Sequence, residues 1–135
     1  MLQMLGQMED ELMVVHAHHM AAQGELSPAS AAMAQPADAA LKCCVGVVAR
    51  ALDGRLECDV NRKLFDSHAG LTLGIRVHGE THNRLIVSLR VTQDGEVSMV
   101  AERVLDGHRY FRGKLATAEL AATMERILGA AFARP

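Results

Sequence analysis

No Lys or Arg occurs in the first 41 residues of this 135-residue chain. A secretory signal needs a basic start and an apolar run, so MLQMLGQMEDE does not read as one. Aromatics are scarce: there is no Trp, one Tyr (Tyr110) and three Phe (Phe65, Phe111, Phe132). That scarcity argues against base-stacking platforms and sugar-stacking surfaces. Three cysteines, Cys43, Cys44 and Cys58, form no CxxC, and an adjacent pair makes a poor disulfide framework. Reduced thiols and a cytoplasmic location are the expectation. No apolar run approaches membrane-spanning length, so no membrane is expected. HExxH, GxSxG and Gly-rich phosphate loops are missing as well.

Half of the residues are apolar, enough for an aliphatic core of one domain. Charge is unevenly placed. Residues 1–41 hold five acids, Glu9, Asp10, Glu11, Glu25 and Asp38, and no base. The remaining 11 acids and all 14 bases lie in residues 42–135. That body is only weakly basic, so nucleic acid is not the expected partner. The opposite signs allow contact between the acidic segment and the body.

Residues 1–36 read as a separate, acidic, His- and Met-containing N-terminal segment, and residues 37–135 as a single domain. In the segment, Met4, Leu5, Met8, Leu12, Val15 and His19 fall near helical spacing, weakened by Gly6. GELSPASAAMAQPA, residues 24–37, has a linker's composition. Internal methionines leave room for a translation start downstream of Met1.

From Asp38, a candidate N-cap, Leu41, Cys44, Val45, Val48 and Leu52 follow at helical spacing, and Gly54 suits the end of a helix. Strand is the alternative over residues 38–52, because Asp53-Gly54 is also a hairpin turn signal and valines favour strands. The period then changes to two. Leu56, Cys58 and Val60; Leu71, Leu73, Ile75 and Val77; Leu85, Val87, Leu89 and Val91; and Val97, Met99 and Ala101 each alternate with polar or small residues. HRYF, residues 108–111, adds a short strand. GETHN, QDGE and Asp106-Gly107 are short connections, which favour antiparallel neighbours. Leu120, Met124, Ile127, Leu128 and Phe132 make the stripe of a closing helix with Thr117 as its cap. The predicted fold is α+β in two layers. An antiparallel meander of four to five strands has an N-terminal-side helix and a C-terminal amphipathic helix on one face.

Three histidines in VVHAHHMAAQ raise the question of a metal site. On a helix His16 and His19 share a face one turn apart, but zinc asks for three or four protein ligands. They are the metal-ligand candidates, and no cofactor is expected. The cysteines have apolar neighbours, which suits core packing better than redox chemistry. Asp66, Ser67 and His68 in FDSHAG are adjacent, whereas a nucleophilic triad converges from separate elements, so FDSHAG reads as a turn. An enzyme is not expected, and no catalytic residue is assigned.

The solvent face of the meander should carry Arg76, His78, Arg84, Ile86 and Arg90, with Ser88 among them, joined by Val100 and Val104 if the 97–104 strand bulges or twists. Arginines around an apolar centre suit a protein interface. HRYFRGK, residues 108–114, would supply phosphate contacts in a nucleic-acid reading.

The Ala- and Arg-rich style, with Lys42, Lys63 and Lys114 as the only lysines, resembles that of proteins from high-GC bacteria. GLTLGIRVHGETHNRLIVSLRV, residues 70–91, resembles small uncharacterised proteins of Burkholderia-type bacteria; the resemblance carries no function. The architecture is similar to secretion chaperones, small acidic α+β proteins that work as dimers. Their strands are interrupted by a helix, which this meander lacks. The functional expectation is a protein–protein interaction module, with an unidentified protein partner or a second copy. The alternatives are a binder of a small apolar ligand between sheet and helices, and metal handling by the N-terminal segment.

Overall fold

The computed structural model describes residues 28–133. Its elements are helix α1 (Pro28–Arg50), a 3-10 turn (Ala51–Gly54), β1 (Leu56–Leu64), β2 (His68–Val77), β3 (Leu85–Thr92), β4 (Val97–Arg103), β5 (Arg109–Leu115), a 3-10 turn (Thr117–Glu119) and helix α2 (Leu120–Ala131). The five strands form one antiparallel sheet in chain order, β1-β2-β3-β4-β5. This is the α+β meander that the period-two stretches predict.

Both helices pack on one face of the sheet. Directly opposed residues of an antiparallel sheet point the same way, so register assigns the faces. The row Val60, Leu73, Val87, Ala101, Phe111 faces the helices, and so does Cys58, Ile75, Leu85. Helix α2 lays Leu120, Met124, Ile127, Leu128 and Phe132 on that face, the predicted stripe. Leu73, Val87, Met99 and Met124 are sealed from solvent in the middle of the core.

Helix α1 settles the ambiguity of residues 38–52 as helix as far as Arg50, with a 3-10 turn after it. It also begins well before Asp38, so much of the expected linker is helical, and Met33 and Ala37 belong to the core. Pro36 sits inside it. A proline there removes the N–H that would bond the carbonyl of Ala32, and Ala32 is exposed. Burial of Met33 and Ala37 on the inner face overrides that local penalty. Asp38 is therefore not a cap; its carboxylate pairs with Arg62 of β1.

Two further details depart from the expected signals. Leu52, Asp53 and Gly54 all have left-handed backbone angles (φ 50, 56 and 77°), which reverses the chain between α1 and β1. For the two non-glycine residues this conformation is strained. At the other end Thr117 donates its hydroxyl to Gly95 O (2.9 Å), and the N–H of Ala116 bonds the Glu119 carboxylate (2.9 Å). Glu119 rather than Thr117 satisfies the start of the closing helix.

Candidate functional site

The second sheet face has no helix on it among the described residues. Register places on it Glu57, Asp59, Asn61 and Lys63 from β1; Arg76, Gly74, Thr72 and Gly70 from β2; Ile86, Ser88 and Arg90 from β3; Glu102, Val100 and Ser98 from β4; and Arg109, Arg112 and Lys114 from β5. Its centre is small or apolar. Ile86 and Val100 are half-buried diagonal neighbours, flanked by Thr72 and Ser88.

One end of this face is neutralised internally. Arg76 donates to Asp59 Oδ2 (2.9 Å), Asn83 Oδ1 (3.0 Å) and Glu57 Oε1 (3.3 Å). Glu57 Oε2 also accepts the Gly79 N–H (3.1 Å) and meets His78 Nδ1 (3.2 Å). Asn83 reaches Arg76 only because residue 74 is Gly. A Cβ there would lie 2.2 Å from Asn83 Nδ2, so the amide lies flat on the sheet. Glu102 pairs with Arg109 (3.1 Å) on the same end.

The other end has bases without acids. Lys63, Arg90, Arg112 and Lys114 form no ion pair or side-chain hydrogen bond among the described residues. Lys63, Gly70, Arg90, Ser98 and Lys114 lie in one row across the strands. With strands about 4.8 Å apart, Arg90 and Lys114 are about 10 Å from each other. Phe65 and His68 stack beside this row (ring centroids 4.8 Å apart), and Phe65 lies against Gly70.

The sequence-based candidates therefore divide. Arg76, Ile86 and Arg90 lie on the open face, with His78 at its end. Arg84 does not join them. It precedes β3, pairs with Glu80 in the β2–β3 loop and stands 5.9 Å from the ring of Phe132 on the helix side. Val104 leaves the face too, in the exposed β4–β5 turn beside Leu105. His16 and His19 lie outside the described residues. Among the described residues no group of three or more His, Cys, Asp or Glu is placed to hold a metal. Sequence reasoning missed Asn83 and did not place Arg112 and Lys114 on this face. Their parity within β5 is the signal that assigns them to it.

Burial explains the thiols. It pushes Cys44 up to about 12, with Cys43 and Cys58 adding to the shift, and Cys58 up to about 11, where Asp59 and Glu57 add to the shift and Arg76 opposes it. Both are therefore protonated and poorly nucleophilic at neutral pH. Ser67 Oγ meets His68 Nδ1 (2.9 Å) within the β1–β2 turn. Two open depressions flank the helices. One of about 210 Å³ is lined by Val47, Arg50, Leu52 and Leu128 among others; one of about 190 Å³ by Leu56, Val77, Arg84 and Phe132 among others. Neither is lined by Leu73, Val87, Met99 or Met124. No helix among the described residues is long and apolar enough to cross a membrane.

Comparison with protein-family models, with curated proteins and with solved structures finds no match.

Proposed function

We propose that the protein is a non-enzymatic protein–protein interaction module whose open sheet face takes an acidic segment of a partner protein. One observation carries this reading. Ile86 and Val100 form a half-buried apolar centre on a sheet face that no helix covers among the described residues, next to Arg90, Arg112 and Lys114, which meet no acid among those residues. An apolar centre with a charged rim is the composition of a protein interface, and unpaired bases select an acidic partner. Sealing of Leu73, Val87, Met99 and Met124 favours this over a ligand held between sheet and helices.

The test is fluorescence anisotropy of a labelled peptide of alternating Glu and Val, titrated with the full chain. Binding at low salt is expected. It should weaken about tenfold in Ile86→Asp, be abolished in Arg90→Glu/Arg112→Glu, and fall as salt rises. No binding by the unaltered chain would sink the proposal. So would a single-stranded oligonucleotide of equal charge that binds more tightly, which would make the face a phosphate surface.

A further inference from the structure

The free edge of β1 has properties that the open face does not explain. Among the described residues strand β1 is outermost and pairs only with β2. Its ladder is regular from Leu56 to Leu64, with no bulge and no proline. The bonds Phe65 N–H to His68 O (2.9 Å) and His78 N–H to Arg55 O (2.7 Å) show that odd-numbered residues face β2. Bonding groups alternate along an antiparallel strand, so Leu56, Cys58, Val60, Arg62 and Leu64 point N–H and C=O away from the sheet. A long regular edge of this kind is a template for another strand.

Charge order on the strand says which one. In LECDVNRKL the acids Glu57 and Asp59 come first and Lys63 comes last, all on the open face. A twofold axis reverses one strand against its copy and brings acid opposite base. Centred on Asn61, Asp59 meets Lys63 of the second copy, twice. Centred on Val60, Glu57 meets Lys63 of the second copy, twice, and Leu56 meets Leu64. Both centres keep outward groups opposite outward groups. Cys58, Val60 and Leu64 are half-buried on the helix side of this edge, with apolar surface left to cover. Arg62 adds no repulsion, because Asp38 already meets it.

We propose that two copies of this chain join β1 to β1, antiparallel, into one continuous sheet. Helix α1 packs on β1, so the two α1 helices flank the join. The contact is isologous and closes at two. The other edge cannot repeat it: β5 carries Arg109, Arg112 and Lys114 with no acid, and its ladder is broken by an extra residue, Tyr110. This goes beyond peptide binding by the open face and fails separately from it. A monomer that still binds the acidic peptide would overturn the dimer alone.

The experiment is native mass spectrometry of the full chain across micromolar concentrations, with circular dichroism to confirm that each variant is folded. The unaltered chain should be a dimer. Lys63→Glu sets acid against acid twice and should weaken the dimer about tenfold or more. Asp59→Lys/Lys63→Glu restores it if the axis passes Asn61; Glu57→Lys/Lys63→Glu restores it if the axis passes Val60. Recovery in either double variant supports the pairing, and recovery in neither overturns it. Val60→Pro removes an outward N–H and leaves the ladder to β2 intact, so it should give a folded monomer. A folded Val60→Pro that remains dimeric overturns the proposal, as does an unaltered chain that is monomeric throughout.

Discussion

Strand β1 runs from acid to base, through Glu57, Asp59, Arg62 and Lys63, whereas β5 carries Arg109, Arg112 and Lys114 and no acid. Both are edges of the same sheet, and among the described residues each has a row of backbone groups without a strand partner. They manage that exposure by different means. On β5, like charge repels a second β5, and Tyr110 breaks the ladder where it stands unpaired against Ala101 and Glu102. On β1 the ladder is regular, and mixed charge sets acid opposite base in its own reversed copy. The number of charges on an edge is thus a poor guide to whether it associates; their order along the strand decides.

The largest effect that separates inward from outward groups comes from proline. Asn61→Pro removes an N–H that bonds β2 and strands a carbonyl of Thr72 in the sheet. It should destabilise the fold by about 1–3 kcal/mol or more, read as a lower urea midpoint. Val60→Pro, one residue away, should move the midpoint by much less and act on association instead. Equal losses in the two variants, measured on monomer at low concentration, would mean that the two sides of β1 are not distinct.

A second effect concerns what holds the β1 acids in place. Gly74→Ala drives a methyl into Asn83, whose Nδ2 would be 2.2 Å away. It should cost under about 1 kcal/mol, because the amide is the end of a side chain that can swing aside on the open face, and also loosen the Arg76 cluster that orients Glu57 and Asp59. Removing the obstructing amide with Asn83→Ala should recover part of the loss. A double variant no more stable than Gly74→Ala would show that the clash is not with Asn83.

These side-chain placements also show what the linear sequence reveals. Period-two alternation was enough for the meander and for the sealed row of Leu73, Val87 and Ala101, because register and burial share one parity. The closing stripe Leu120, Met124, Ile127, Leu128, Phe132 was legible for the same reason at helical spacing. Start of α1 was not: Pro36 and the run of alanines look like a linker, and only the sheet beneath makes burial of Met33 and Ala37 worth a broken helical bond. Arg76, Ile86 and Arg90 were legible as a face, but Arg84 was not separable from them. Its backbone continues the β3 ladder while its side chain turns to Glu80 and Phe132. The charge order of β1 stood in the sequence, yet it means nothing until β1 is known to be an edge.

A smaller effect tests the β5 side. Arg112→Glu introduces an acid at an exposed position with no ion partner among the described residues. Stability should change by no more than about 0.5 kcal/mol, and the dimer should be unaffected. Binding of the acidic peptide should fall. A weaker dimer in this variant would put β5, not β1, at the join.

The smallest expected effect lies in the turn that starts β5. Arg103 grips Asp106 with two bonds, Nε to Oδ1 (2.8 Å) and Nη2 to Oδ2 (2.7 Å), and the His108 N–H donates to the same carboxylate (3.0 Å). The Arg103 hydrogen bonds first, and the His108 bond second, hold the Asp106 carboxyl well below the usual carboxylate range. A group whose folded value is depressed stabilises the fold above its unfolded value, near pH 4, and loses that contribution as pH falls through the folded value. Both partners are exposed, so the gain is screened and small. The difference in Tm between the unaltered chain and Asp106→Asn should therefore be modest at pH 7 and shrink toward pH 2. If it keeps its size at low pH, the carboxylate charge is not what braces this turn, and the bulge that blunts β5 is set by Gly107 and the strand register instead.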